Sequence, residues 1–134
     1  MTDARIEDVY ADRDGARVFL DQAERFLRDA HIAGLSTESQ TVLLHNASIC
    51  ACDAILQAVG KRVTPGDGSH LLRLEEALAQ LGDPNEELLD ALDAARARRH
   101  EASYAAGFVA HASLVDAHEA TTELMERARV FLAS

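Results

Sequence analysis

The residues best equipped for chemistry stand close together late in the chain. Arg96, Arg98 and Arg99 fall within four positions and are followed by His100, Ser103 and Tyr104. Guanidinium groups bind phosphate oxygens, an imidazole exchanges protons near neutral pH, and hydroxyls orient or hydrogen-bond an anion. At helical spacing, Arg96, His100 and Tyr104 form one stripe and Arg99 and Ser103 a second beside it. The chain around them carries 23 acidic and 13 basic residues, a net charge of -10. A local reversal of sign in so acidic a chain points to an anion or to an acidic partner surface. Basic residues also suit the last turns of a helix, where the macrodipole favours cations.

No other chemistry is as well supported. Cys50 and Cys52 are the only cysteines. Two positions apart on a helix they point about 200° away from each other, so they read as small buried thiols and not as a metal or disulfide pair. His111 and His118 are seven apart, separated by roughly 10 Å of helical rise, too far to chelate one ion unaided. His45 and Asn46 read as satisfied buried polar groups or contacts between subunits, His31 as a helix C-terminal residue, and His70 as a loop-to-helix junction. Neither a metal nor an organic cofactor is expected. The glycines at 66 and 68 follow no strand, so no phosphate cradle is expected there.

The elements that position these groups are helices. Of the 134 residues, 48% are hydrophobic and 4% aromatic, tryptophan is absent and proline occurs twice. A core of Ala, Leu, Val and Ile in one domain spanning 1–134 follows. The apolar spacing predicts a first helix from about Asp3 to Ala30, ending near Gly34. The capping pattern Thr37-Glu38-Ser39-Gln40 predicts a second helix to Gly60, apolar around most of its circumference and therefore central. A loop over 61–68 leads to a short helix from about His70 to Leu81. Asp83-Pro84-Asn85-Glu86 then starts a fourth helix reaching Tyr104, and a fifth covers about Phe108 to Leu132. Short connections make consecutive helices antiparallel neighbours. The expected fold is all-α, a bundle of four long helices and one short one.

Composition also excludes partners. An acidic chain does not coat nucleic acid generally, although a basic patch can hold one phosphate or a short strand. No uninterrupted apolar run approaches the roughly 18 residues of a membrane span, and no apolar signal core follows Met1. A cytoplasmic location without a membrane partner is the expectation.

With these residues in place, the chain resembles the HEPN superfamily of small helical bundles. The resemblance covers most of the chain. It rests on the helical layout, on His45-Asn46-Ala47 in an alanine-rich second helix, and on Gly68-Ser69-His70-Leu71-Leu72 opening the short third helix. It rests most on the arginine-rich segment before the last helix. The resemblance implies a homodimer in a toxin–antitoxin-like or RNA-linked pathway, with a cognate antitoxin or nucleotidyltransferase as partner. It implies a ligand that is RNA or a nucleotide. Catalytic members carry an arginine, four to six residues, then a histidine, and cleave RNA. Here the nearest match runs from Arg99 to Tyr104, and His100 lies one residue too close to Arg96. Arg99, His100 and Tyr104 thus stand at the catalytic positions, and Arg96, Arg98, Arg99 and Ser103 at the phosphate-binding ones. With tyrosine in the histidine's place, the segment fits phosphate binding better than it fits RNase chemistry. The alternative is a non-catalytic interaction or dimerisation module.

Overall fold

A computed structural model describes residues 5–82, 85–104 and 111–134; over 98–104 and 111–113 it describes only the helical backbone. The order of elements is β1 (Ile6–Asp8), α1 (Arg13–Asp29), α2 (Thr37–Ala58), β2 (Lys61–Val63), α3 (Ser69–Gln80), α4 (Glu86–Tyr104) and α5 (His111–Ala133). Four long helices and one short one are present, as the apolar spacing predicts.

The core is built of small and aliphatic side chains. Ala16, Leu20, Ala23, Leu27 and Ala30 form the buried stripe of α1, at the three- and four-residue spacing of an amphipathic helix. The helix α2 contacts α1, α3, α4, α5 and β2. Its Leu44, Ala47, Ala51, Cys52, Ala54, Ile55 and Leu56 are all buried, so apolar residues around most of its circumference all find partners. By length and mean hydropathy α2 would also pass for a membrane span, but just over half of that apolar window is buried by the other elements. His45, Asn46 and Ser48 interrupt its apolar run. From the last helix, Leu124, Met125 and Ala128 close the core with no exposure.

Contacts fix the helix directions. Arg13 at the start of α1 donates to the carbonyls of Phe131, Leu132 and Ser134 at the end of α5, capping carbonyls that the helix leaves free. His31, just past the end of α1, lies against His118 near the start of α5. The two helices therefore run antiparallel. Asp12 and Gln57 bring the start of α1 to the end of α2, so that pair is antiparallel as well.

The N-terminal segment corrects the sequence reading. The first helix begins at Arg13, not near Asp3, because Asp12 is its N-cap and accepts from Gly15 N at 2.9 Å. Residues 6–8 instead pair antiparallel with 61–63, in the register Ile6–Val63, Glu7–Arg62 and Asp8–Lys61, so the expected loop over 61–68 opens with a strand and the glycines at 66 and 68 do follow one. Charge holds this ladder together. Arg62 reaches Glu7 at 2.6 Å and Lys61 reaches Asp8 at 3.2 Å, the pairing of opposite charges that favours neighbouring strands. Arg62 and Thr64 hydrogen-bond the Glu7 carboxylate and hold its pKa below the usual value. Gly60 turns the chain from α2 into β2 at φ +77°. A Cβ there would stand 2.5 Å from the Val9 carbonyl oxygen, so only glycine fits.

The helix starts shift by a residue or two. Ser36, not Thr37, caps α2, its Oγ accepting from Ser39 N. Gln40 does not reach back as a capping box would; it donates to Leu35 O. At the start of α4, Asn85 Oδ1 accepts from Leu88 N at 2.9 Å. The expected cap Asp83, with Pro84, lies outside the described residues, as does Phe108.

Candidate functional site

The basic segment occupies the last turns of α4, which continues unbroken to Tyr104. Of its members, Arg96 is the one whose side chain is described; those of Arg98, Arg99, His100, Ser103 and Tyr104 lie outside the described residues. Arg96 is half-buried, with its Nε 2.8 Å from Asp93 Oδ1 one turn earlier.

Arg96 lines a narrow cleft where α2, α3 and α4 meet. The other polar groups lining it are His45 and Ser48 of α2 and His70 and Arg73 of α3. Ile49, Cys52, Leu74, Leu92 and Ala95 form its apolar floor and walls. The free interior is about 10 Å3, room for roughly one water molecule. His45 and His70 meet edge to face, with ring centroids 5.1 Å apart. Sequence reading assigned these two histidines no ligand role. Within α2 the register puts His45 and Ser48 on one helical face, and both line this cleft; nothing in the spacing along the chain links His45 to His70.

The charge state of the cleft follows from its hydrogen bonds. Arg73 Nη1 lies 3.2 Å from His70 Nδ1. A guanidinium only donates, so His70 Nδ1 accepts and the neutral ring carries its proton on Nε2. Arg73 also stands against α2, its Nε 2.8 Å from Asp53 Oδ1. That contact is an ion pair by distance, since the Nε makes no well-directed hydrogen bond. Burial raises the pKa of Asp53, and the Arg73 charge works against that rise. Cys52, fully buried beside them, has its thiol pKa pushed far up, mainly by burial. The half-buried Cys50 is raised as well, mainly by burial and also by Asp53. Both sulfurs are inert thiols at neutral pH.

Two wider grooves lack this chemistry. The groove between α4 and α5, about 520 Å3, is edged by Glu87, Asp116, Glu119 and Glu123, with no basic residue lining it among the described residues. The groove beside the strands, about 770 Å3, mixes Lys61, Arg62 and Arg73 with Asp12 and Asp53 around Val9, Tyr10 and Phe19. Its cations are paired with carboxylates, as Arg73 and Arg96 are in the cleft, and among the described residues no histidine lines it. Among the described residues no group of three or more His, Cys, Asp or Glu is arranged to hold a metal ion.

No protein-family model, curated protein or solved structure matches this chain.

Proposed function

We propose that this protein is a cytoplasmic, HEPN-like helical module of an RNA-linked or toxin–antitoxin-like pathway, working as a homodimer. It binds the phosphate of RNA or of a nucleotide where α4 meets α2 and α3. The observation that carries this reading is the convergence of Arg96, Arg73, His70 and His45 from three helices on one cleft, in a chain of net charge -10. Arg96 begins the basic segment, and Arg98, Arg99, His100, Ser103 and Tyr104 come after it on the same helix. Guanidinium and imidazole donors together suit a phosphate oxygen. The small interior limits what enters: a terminal phosphate sits at the mouth of the cleft, not inside it.

The test is binding of a fluorescent oligoribonucleotide and of a nucleoside monophosphate by the whole chain. The same assay is run on Arg96→Ala and on Arg99→Ala/Tyr104→Ala. Binding weakened at least tenfold by either variant supports the reading, and no binding by the unaltered chain refutes it. Cleavage of total RNA that survives the double variant removes Arg99 and Tyr104 from any catalytic role.

A specific observation favours the second reading, a non-catalytic interaction module. Arg96 and Arg73 are each already paired with a carboxylate, Asp93 and Asp53. In that reading the cleft is a salt-bridged junction between helices, and the basic segment meets an acidic surface of a partner.

A further inference from the structure

The second histidine pair, at the opposite end of α5 from the carbonyls that Arg13 caps, has a use independent of phosphate binding. Its hydrogen bonds determine where each proton sits. Gln40 Nε2 donates to Leu35 O at 3.0 Å, which turns the Gln40 carbonyl oxygen toward His118. His118 Nε2, 3.2 Å from that oxygen, is therefore the donor. Its other nitrogen, Nδ1, is left with a bare lone pair, is buried, and has no hydrogen-bond partner. Across from it, His31 Nδ1 donates to Leu27 O at 2.8 Å. The two rings lie 4.6 Å apart, tilted by 60°. Three elements, the end of α1, the start of α2 and the start of α5, thus meet through two imidazoles.

We propose that His118 and His31 form a pH-sensitive clasp, which holds the α1–α2 connection (residues 31–36) against α5 at neutral pH and releases it in mild acid. A proton added to His118 goes to Nδ1, an atom without an acceptor and without access to water. Burial and the neighbouring His31 both favour the neutral ring, burial more strongly. A proton added to His31 goes to its Nε2 and sets a second charge beside the first. Among the described residues neither ring forms an ion pair. The α1 end presents His31, and α2 presents the neutral Gln40. Glu119, Glu123 and Glu126 line the open groove from α5 itself, and Glu87 of α4 edges the adjoining groove. Breaking the Gln40 bond lets the protonated ring turn to water, so acid favours the released state.

The experiment uses the whole chain. The titrations of His118 and His31 are followed by their ring C–H resonances between about pH 4.5 and 8.5, a range that brackets a free imidazole at about 6.5. Amide hydrogen exchange over residues 31–40 is measured in parallel and corrected for the intrinsic rate. His118 is expected to titrate below about 6.5, with exchange in that segment rising as pH falls. The rise is at most about tenfold for each unit by which the His118 midpoint is depressed. The His118→Gln variant is expected to lose that pH dependence. His31→Gln, which leaves the His118 bond to Gln40 in place, is expected to move the His118 midpoint upward. A His118 midpoint at or above about 6.5, an unmoved midpoint in His31→Gln, or undiminished pH dependence in His118→Gln each overturns the clasp.

Discussion

Two pairs of histidines face each other in this bundle, and their surroundings give them opposite characters. His45 and His70 meet in a cleft with Arg73 and Arg96 at its edge and the carboxylate of Asp53 behind. His31 and His118 are bonded to a backbone carbonyl and a carboxamide, and Glu119, Glu123 and Glu126 stand along the open groove they line. The first pair sits beside two guanidinium groups, each paired with a carboxylate. The second sits where any added charge is unwelcome. The residue type is the same in both; what differs is whether the rings hydrogen-bond to an ionic group, as His70 does to Arg73, or to neutral ones, and that is decided by which helices cross there.

The contrast predicts opposite responses to removing one group. The largest effect is expected at Arg73. Its side chain is 12% exposed and its partner Asp53 32%. Arg73→Ala leaves a largely desolvated carboxylate without its cation, at a cost of about 2–4 kcal/mol at pH 7. Urea unfolding measures this, and Asp53→Ala/Arg73→Ala should recover at least half of the loss. At the other pair, His31→Gln removes no ionic partner, and its cost should stay below about 1 kcal/mol. Equal costs at the two sites would erase the distinction.

Acid should separate the regions by sign. The pKa of His118 is depressed in the folded chain, so the unfolded chain binds the proton first. Stability from this group is present above about pH 6.5, the unfolded value, and is lost as pH falls below it toward the folded value. The pKa of Asp53 is raised from 3.8 in the folded chain, so there the folded state binds the proton first. Its contribution is greatest below 3.8 and is lost as pH rises from there through the folded value. His118→Gln should therefore flatten the stability profile on the acid side of neutrality, and Asp53→Asn should flatten it upward from pH 3.8. Each slope is worth about 1.4 kcal/mol for every pKa unit of difference. Thermal melts across pH 4–8 read both, and a single slope abolished by either variant would join the two sites into one.

Much of this architecture is legible in the sequence, and the reasons for the gaps are local. The apolar periods of the helices are long signals, and α2 shows its central place because apolar side chains surround it. Ile6–Asp8 and Lys61–Val63 are too short to show a period of two, and Glu7 and Asp8 read as a helix face until Arg62 and Lys61 are seen opposite them. Asp12 was a readable cap, masked by the apolar Val9 that continues the helical spacing backwards across it. At the candidate site, the sequence shows Arg96 and its basic neighbours because charge stands out locally. It does not show His45, His70 and Arg73 beside them. That meeting depends on how α3 folds back onto α2 and α4 after the turn at Gly66–Gly68, a long-range outcome that no spacing along the chain encodes. The same holds for His31 and His118, 87 positions apart in the chain (118 − 31).

The smallest expected effect on stability is the one that most sharpens the contrast. Arg96 and Asp93 are each 36% exposed and one turn apart on the same helix. Such a pair contributes about 0.3–0.5 kcal/mol, so Arg96→Ala should leave the urea midpoint almost unmoved. If the cleft is a phosphate site, the same variant should weaken nucleotide binding at least tenfold, because a bound phosphate takes the guanidinium from Asp93 and turns a weak internal pair into a charge-assisted contact with the ligand. Asp93→Asn then becomes informative. Releasing Arg96 from its carboxylate should strengthen phosphate binding, since the competing anion is gone. If Asp93→Asn weakens binding, or leaves it unchanged while Arg96→Ala also does nothing, the ion pair belongs to the helix surface. The cationic character of the His45–His70 region would then serve packing between α2, α3 and α4, as the neutral character of the His31–His118 region serves the junction of α1, α2 and α5.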